Sequence, residues 1–205
     1  MVCFDLDKTL TTNSWLNINQ AMGMTAEEDQ YLFDLYEAKK LSYVDWQKEL
    51  EKLYIGRGKA TKESILKVIN SGSYLPGAKE VVKYLIDKGY TVCLMSGSID
   101  ILVEKVAKEL GIPYFSANNI FITDKNNYLT ELKCLGEDTE VKVKQLTEMS
   151  EKLNINLNEI ACVGDGDNDE KIFELTGRGI TFEGSKIESK AWKVVKNLLE
   201  IKEIL

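Results

Sequence analysis

Residues 2–9 read VCFDLDKT, an apolar run (Val2-Cys3-Phe4) that stops at two acids, Asp5 and Asp7. On an extended chain residues i and i+2 point to the same side, so both carboxylates are expected to face one site. Two acids that close repel each other unless a cation or a proton lies between them. The same design recurs along the chain. Tyr90–Met95 (YTVCLM) runs into Ser96-Gly97, Ile160–Val163 (IACV) into Gly164-Asp165, and Ile180-Thr181-Phe182 into Glu183-Gly184. Near-continuous hydrophobic strands separated by helices indicate a parallel sheet covered on both faces.

The intervening segments have helical periodicity. Val81, Val82, Leu85 and Ile86 form one apolar stripe, with Gly89 placed as a stop. Ile99, Leu102, Val103, Val106 and Leu110 form another, closed by Gly111 and Pro113, and Val143, Leu146, Met149 and Leu153 a third. Phe121–Thr123 and Tyr128–Leu132, joined by Asp124-Lys125-Asn126-Asn127, read as a β-hairpin. The pattern predicts an α/β fold: a doubly wound, Rossmann-like parallel-sheet core whose ligands bind beyond the C-terminal strand ends.

Residues 13–75 break the alternation and read as helices only, with Ala26–Lys40, Ser42–Tyr54 and Thr61–Asn70 periodic and Gly56-Arg57-Gly58 a break. This stretch holds 8 of the 18 aromatic residues, which suits a small core of its own. Following directly on the first strand, it is expected to be a small all-helical cap over that strand's C-terminal end. The expected division is a catalytic core of 1–12 and 76–205 and a cap of 13–75.

Composition narrows the chemistry. The chain has 205 residues, 44% hydrophobic and 29% charged, with 26 basic against 33 acidic side chains and a net charge of −7. An acidic chain lacks the cationic surface that nucleic acid or an anionic membrane requires. There is no histidine, which removes Ser-His-Asp and Cys-His catalysis and His-ligated metals. Proton transfer must fall to carboxylates, lysine, tyrosine or cysteine. Cys3, Cys93, Cys134 and Cys162 form no C-x-x-C pair and are expected to be reduced, buried core thiols. With no signal peptide and no apolar run near the ~18 residues of a membrane span, a soluble cytoplasmic protein is expected, as monomer or homodimer.

Gly164-Asp165-Gly166-Asp167-Asn168-Asp169 supplies oxygen ligands suited to a hard cation such as Mg²⁺. An EF-hand is excluded because its sixth position is Glu170 rather than Gly and its twelfth is Thr176 rather than Glu. Ser96-Gly97-Ser98, between a strand and a helix, offers a hydroxyl and backbone N–H groups to a phosphate oxygen. Lys142 begins the helix that leads to the IACV strand. Three of these four features close strands of one sheet, and the lysine approaches from the same side.

With DLDKT, SGS, Lys142 and GDGDND in that order and a helical insertion after the first, the chain resembles the haloacid dehalogenase superfamily, in its phosphoserine-phosphatase-like branch. The resemblance spans nearly the whole chain and prefers Lys142 to Lys144 by its spacing to Asp165. It implies a Mg²⁺-dependent phosphomonoester phosphatase working through an aspartyl-phosphate on a small phosphorylated metabolite. Asp5 would be the nucleophile and Asp7 the general acid–base. Mg²⁺ would be held by Asp5, the Asp7 carbonyl, Asp165 and Asp169. Thr9, Ser96, Gly97 and Lys142 would bind phosphoryl oxygens, with Asn168 nearby. A leaving halide needs no proton, so the second acid sets the chain apart from dehalogenases. DKTLT resembles the DKTGT of P-type ATPases, but its Gly is missing and so are membrane spans.

Substrate choice is less constrained. Phosphoserine phosphatases carry an acid shortly after the first motif, where this chain has Ser14 beside Trp15, and a cap arginine, for which Arg57 is the candidate. Phosphoserine therefore stands beside phosphocholine and sugar, glycerol or nucleoside phosphates as a candidate substrate. Binding of a phosphate ligand without turnover is the non-enzymatic alternative.

Overall fold

The computed structural model describes residues 1–205 apart from Asn13 and Gly72, and apart from the side chains of Ser14 and residues 69–71. Its strands are β1 (Val2–Phe4), β2 (Val92–Ile99), β3 (Tyr114–Thr123), β4 (Leu129–Cys134), β5 (Ala161–Val163), β6 (Gly179–Phe182) and β7 (Lys193–Val195). They form one sheet in the order β4-β3-β2-β1-β5-β6-β7. Every neighbouring pair is parallel except the β3–β4 hairpin. The chain builds outward from β1 first towards β4 and later towards β7, so the direction of winding reverses between β1 and β5, the position at which open α/β sheets bind their ligands.

Alternation along the central strands makes the core two-sided. Val2 and Phe4 of β1, Val92 and Leu94 of β2 and Val163 of β5 face one apolar cluster; Cys3, Cys93, Met95 and Cys162 face the other. The first cluster is closed by α5 (Ala78–Asp87) and α6 (Asp100–Leu110), the second by α7 (Asp138–Leu153) and α8 (Glu170–Thr176). Each buried Leu, Val or Phe contributes roughly 1.5–3 kcal/mol by leaving water. At Gly179 a Cβ would fall inside the Phe173 ring, so only glycine lets α8 close on β6.

The cysteines depart from expectation. Cys3 stands in register with Cys93 on one side and Cys162 on the other. Neighbouring parallel strands point register partners to the same face. Cys3 and Cys93, with Cα atoms 4.7 Å apart, are joined as a disulfide, while Cys134 and Cys162 are free thiols.

Four helices fill the stretch after β1: α1 (Ser14–Ala21), α2 (Ala26–Glu37), α3 (Tyr43–Arg57) and α4 (Lys62–Ser71). Thr25 caps α2 with a reciprocal Glu28 capping box, Ser42 caps α3, and Gly58 ends α3 in the left-handed region. The break expected at Gly56-Arg57-Gly58 falls at Gly58, where φ turns positive, so the helix runs past Tyr54 to Arg57. Tyr36, Tyr43, Trp46 and Phe33 pack ring to ring as a small aromatic core. The insert is rooted where Thr11 pairs with Tyr74 and Leu75 N donates to Leu10 O at 2.9 Å. It docks on the hairpin through Leu129 N to Ala60 O at 2.8 Å and Lys62 N to Asn127 O at 3.1 Å. No helix among the described residues is long and apolar enough to cross a membrane.

Candidate active site

Asp5 leaves the end of β1 with its N–H donating to Val163 O at 2.8 Å, which ties the acid to β5. The chain then turns sharply: the Leu6 carbonyl accepts from the N–H groups of Thr9, Leu10 and Thr11 at 3.3, 2.9 and 3.0 Å. Lys8 enters the left-handed region within this turn (φ +57°). The fold buries Asp5 and Thr9, leaves Asp7 half-buried, and brings Thr9 Oγ1 to 3.3 Å from Asp165 Oδ1 as donor.

The second acidic group closes β5. Asp169 is fully buried; it donates its N–H to Gly166 O at 2.9 Å and accepts from Gly166 N at 3.3 Å. Oxygens of Asp5, Asp165 and Asp169 lie within 4.8 Å of one another. Lys142 inserts from α7 between two of them, with Nζ 2.8 Å from Asp5 Oδ1 and 2.6 Å from Asp169 Oδ1. Its side chain is 1% exposed. Lys142 does not begin its helix: α7 starts a turn earlier, and Asp138, Lys142, Leu146 and Ser150 share the buried face at the i, i+4 repeat.

Charge in this cluster is out of balance. Burial pushes the Asp5 carboxyl well above its ordinary range; Lys142 opposes that rise, while Asp169 and Asp165 reinforce it. Asp165 is pushed up to about 6 by burial and by Asp169. Burial alone would lower the Lys142 ammonium, but Asp169, Asp5 and Asp138 hold it above the usual lysine range. Three converging carboxylates with one ammonium are an all-oxygen donor set in deficit of positive charge, and a divalent cation of the Mg²⁺ type fits it.

The Ser-Gly-Ser stretch lies inside β2 rather than after it, since pairing with β3 continues through a bulge between Ser96 and Ile99. Ser96 Oγ accepts from Ser98 N at 3.0 Å. Asn168 Nδ2 donates to Asp138 Oδ2 at 2.6 Å. Of the expected core residues, Asp5, Thr9, Lys142, Asp165 and Asp169 thus come together, and Gly97 and Asn168 both lie against Asp138. Of the substrate residues expected in the helical insert, Arg57 and Trp15 have contacts elsewhere. Arg57 closes on Glu28 (2.5 Å) and on the Gly23 carbonyl, both within the insert. Trp15 packs against the apolar core, and the Ser14 side chain lies outside the described residues.

Reading the sequence missed three parts of the site. Tyr43 of α3 donates its hydroxyl to Gly97 O at 2.8 Å, and Asn119 Nδ2 donates to the same carbonyl at 2.7 Å and to Tyr43 Oη at 2.8 Å. Glu137 accepts from Tyr43 N and Val44 N at 3.2 and 3.3 Å, capping α3 from the core. Asp138 is buried between Asn118 and Asn168. Only Asp138 had a sequence signal, its place four residues before Lys142; Tyr43 and Asn119 meet across 76 positions.

A buried acid at a strand end, a buried lysine and a second acidic loop on a doubly wound sheet are the arrangement of one class of hydrolase. The family model of haloacid dehalogenase-like hydrolases matches residues 2–174, and the chain belongs to that family. It is 28% identical to the phosphoserine phosphatase of Methanocaldococcus jannaschii over 100% of this chain and 95% of that one. It is 31% identical to the phosphoserine phosphatase of Campylobacter jejuni subsp. doylei over 69% of this chain and 70% of that one. A solved substrate-bound phosphoserine phosphatase complex superposes with a TM-score of 0.82 at 28% identity, covering 100% of this chain and 97% of that one. Within the family, the chain is a phosphomonoester hydrolase of the phosphoserine-phosphatase-like branch.

Proposed function

We propose that this protein hydrolyses a small phosphomonoester in two steps through Asp5, with Mg²⁺ as cofactor. The convergence of the Asp5, Asp165 and Asp169 oxygens within 4.8 Å around one buried lysine carries the reading. Phosphoserine is the first candidate substrate, on the strength of the relatives' activity. Residues 1–12 and 76–205 would act as the catalytic core and 13–75 as the cap that selects the leaving group.

Asp5, the Asp7 carbonyl, Asp165 and Asp169 would hold Mg²⁺. When bound, the ion supplies neutralising charge and Lewis-acid polarisation to the phosphoryl group and lets Asp5 stand ionised. An Asp5 oxygen attacks phosphorus, the P–O bond to the substrate alcohol breaks, and Asp7 gives its proton to the departing alkoxide. Asp7, now ionised, takes a proton from water; the resulting hydroxide attacks phosphorus, releasing orthophosphate and restoring Asp5. Thr9, Ser96, the Gly97 N–H, Lys142 and Asn168 hold the phosphoryl oxygens, since placement and charge neutralisation are what phosphoryl transfer chiefly demands. The Tyr43 and Glu137 contacts hold the cap over the site and exclude water other than the attacking one.

Phosphate release should be measured across phosphoserine, phosphocholine and sugar, glycerol and nucleoside phosphates, with Mg²⁺ and with EDTA. Metal-dependent release supports the reading and ranks the substrates. No release from any of them would leave a protein that binds phosphate ligands without turnover.

A further inference from the structure

Asp138 is a buried acid to which none of the steps above assigns a role. It lies on the first turn of α7, 6% exposed, and each of its oxygens is engaged. Oδ1 accepts from Asn118 Nδ2 at 2.9 Å and Oδ2 from Asn168 Nδ2 at 2.6 Å. It also presses on the Ser-Gly-Ser stretch: a Cβ on Gly97 would stand 2.6 and 2.7 Å from its two oxygens. One carboxylate therefore touches both the β2 loop and the acidic loop after β5, the two segments that would grip the phosphoryl group from opposite sides.

We propose that Asp138 is a positioning residue that orients the Asn168 amide and seats Gly97 for the phosphoryl oxygens. The inference rests on the phosphatase reading above. Its physical basis is the near-symmetry of an amide. The oxygen and NH₂ ends of Asn168 are similar in size, so shape alone does not decide which end faces the phosphoryl group. An ionised carboxylate only accepts hydrogen bonds, so it fixes the NH₂ end; one N–H is spent on Asp138 and the other stays available as a donor. Asn118, itself held by the Gly136 carbonyl at 3.1 Å, fixes Asp138 from behind.

A second consideration makes the role testable, because it predicts the opposite sign. A negative charge beside an anion site repels the anion. Were Asp138 only a nearby charge, Asp138→Asn would tighten binding of orthophosphate. If it positions Asn168, the same near-isosteric change releases the amide and weakens binding.

The experiment measures kcat/KM for the best phosphomonoester, and competitive inhibition by orthophosphate with Mg²⁺, in the wild type, Asp138→Asn, Asn168→Ala and the double variant. The expected result is an inhibition constant raised about tenfold and kcat/KM lowered about tenfold or more in Asp138→Asn, in line with the loss of an oriented donor. The double variant should be little worse than Asn168→Ala alone, since the two residues act as one unit. An unchanged or lowered inhibition constant, or independent effects that multiply, would overturn the proposal. If Asp138→Asn does not fold, Asn118→Ala keeps every phosphoryl ligand and frees Asp138 from behind; a several-fold rise in the inhibition constant supports the role, and none refutes it. A wild type without turnover on any substrate would instead defeat the phosphatase reading, and this role with it.

Discussion

Replacing Lys142 by methionine tests the electrostatic account of the site without reference to substrate. In the wild type the ammonium lies 2.8 Å from Asp5 and 2.6 Å from Asp169, with side chains 1%, 8% and 0% exposed. Methionine nearly matches the length of the lysine stem but leaves the Asp5, Asp165 and Asp169 oxygens, within 4.8 Å of one another, with no cation between them. Breaking a buried pair by deleting one partner typically costs about 3–5 kcal/mol. With a urea slope of about 2 kcal/mol/M, the unfolding midpoint should fall by about 2 M in EDTA near neutral pH. The loss should depend on pH with a definite sign. Without the lysine, carboxyl pKa values in the folded state rise further above their unfolded values, and Asp165 is already at about 6 in the wild type. The folded variant then binds more protons than the unfolded chain. Its stability is retained at acid pH and lost as pH climbs from about 4 towards 7. The assay is urea unfolding followed by tryptophan fluorescence, in EDTA, at about pH 5 and about pH 7.5. A variant as stable as the wild type at the higher pH, or one whose deficit does not shrink at the lower, would refute the reasoning.

Three further outcomes follow from named contacts. Gly179→Ala would drive a Cβ into the Phe173 ring, and thermal unfolding should show a loss of at least about 3 kcal/mol. Tyr43→Phe removes a buried hydroxyl that donates to the Gly97 carbonyl and accepts from Asn119, which keeps its own bond to that carbonyl, so kcat/KM should fall several-fold, to about tenfold, with the melting temperature lowered by about a few degrees; unchanged kinetics would show that this contact does not matter to turnover. The Cys162 thiol is pushed up to about 12 by burial, so a thiol reagent in mildly alkaline buffer should leave it unmodified in the native protein. In denaturant without reductant, Cys134 and Cys162 should both react and the paired Cys3 and Cys93 should not.

What was legible in the sequence was whatever is local. VCF before DLDKT, IACV before GDGDND and the stripes of α5, α6 and α7 each carry their meaning within a dozen residues, and they suffice for the sheet, the acidic cluster and Lys142. The helical run after the first strand was equally plain. The remainder depended on register between distant strands. Cys3 and Cys93 look like ordinary core thiols until β1 and β2 are known to be neighbours in register. β7 is three residues long with only Val195 buried, too short and too exposed to show an apolar pattern. Asn118 and Asn119 are polar residues within a strand, buried because Asp138 and Tyr43 satisfy their amide N–H groups from other elements. Arg57 was a substrate candidate only as the arginine of the helical insert, and what the sequence could not show is its pairing with Glu28 and the Gly23 carbonyl, 29 and 34 positions away.

The central claim is that Asp5 carries the phosphoryl group between the two chemical steps. Rapid quenching of the wild-type enzyme during Mg²⁺-dependent turnover, followed by peptide mapping, should find an acid-stable, hydroxylamine-labile phosphoryl group on Asp5. Asp5→Asn, folded as judged by its circular dichroism, should show neither that adduct nor phosphate release. Undiminished turnover in Asp5→Asn, or a phosphoryl group on any other residue, would contradict the account.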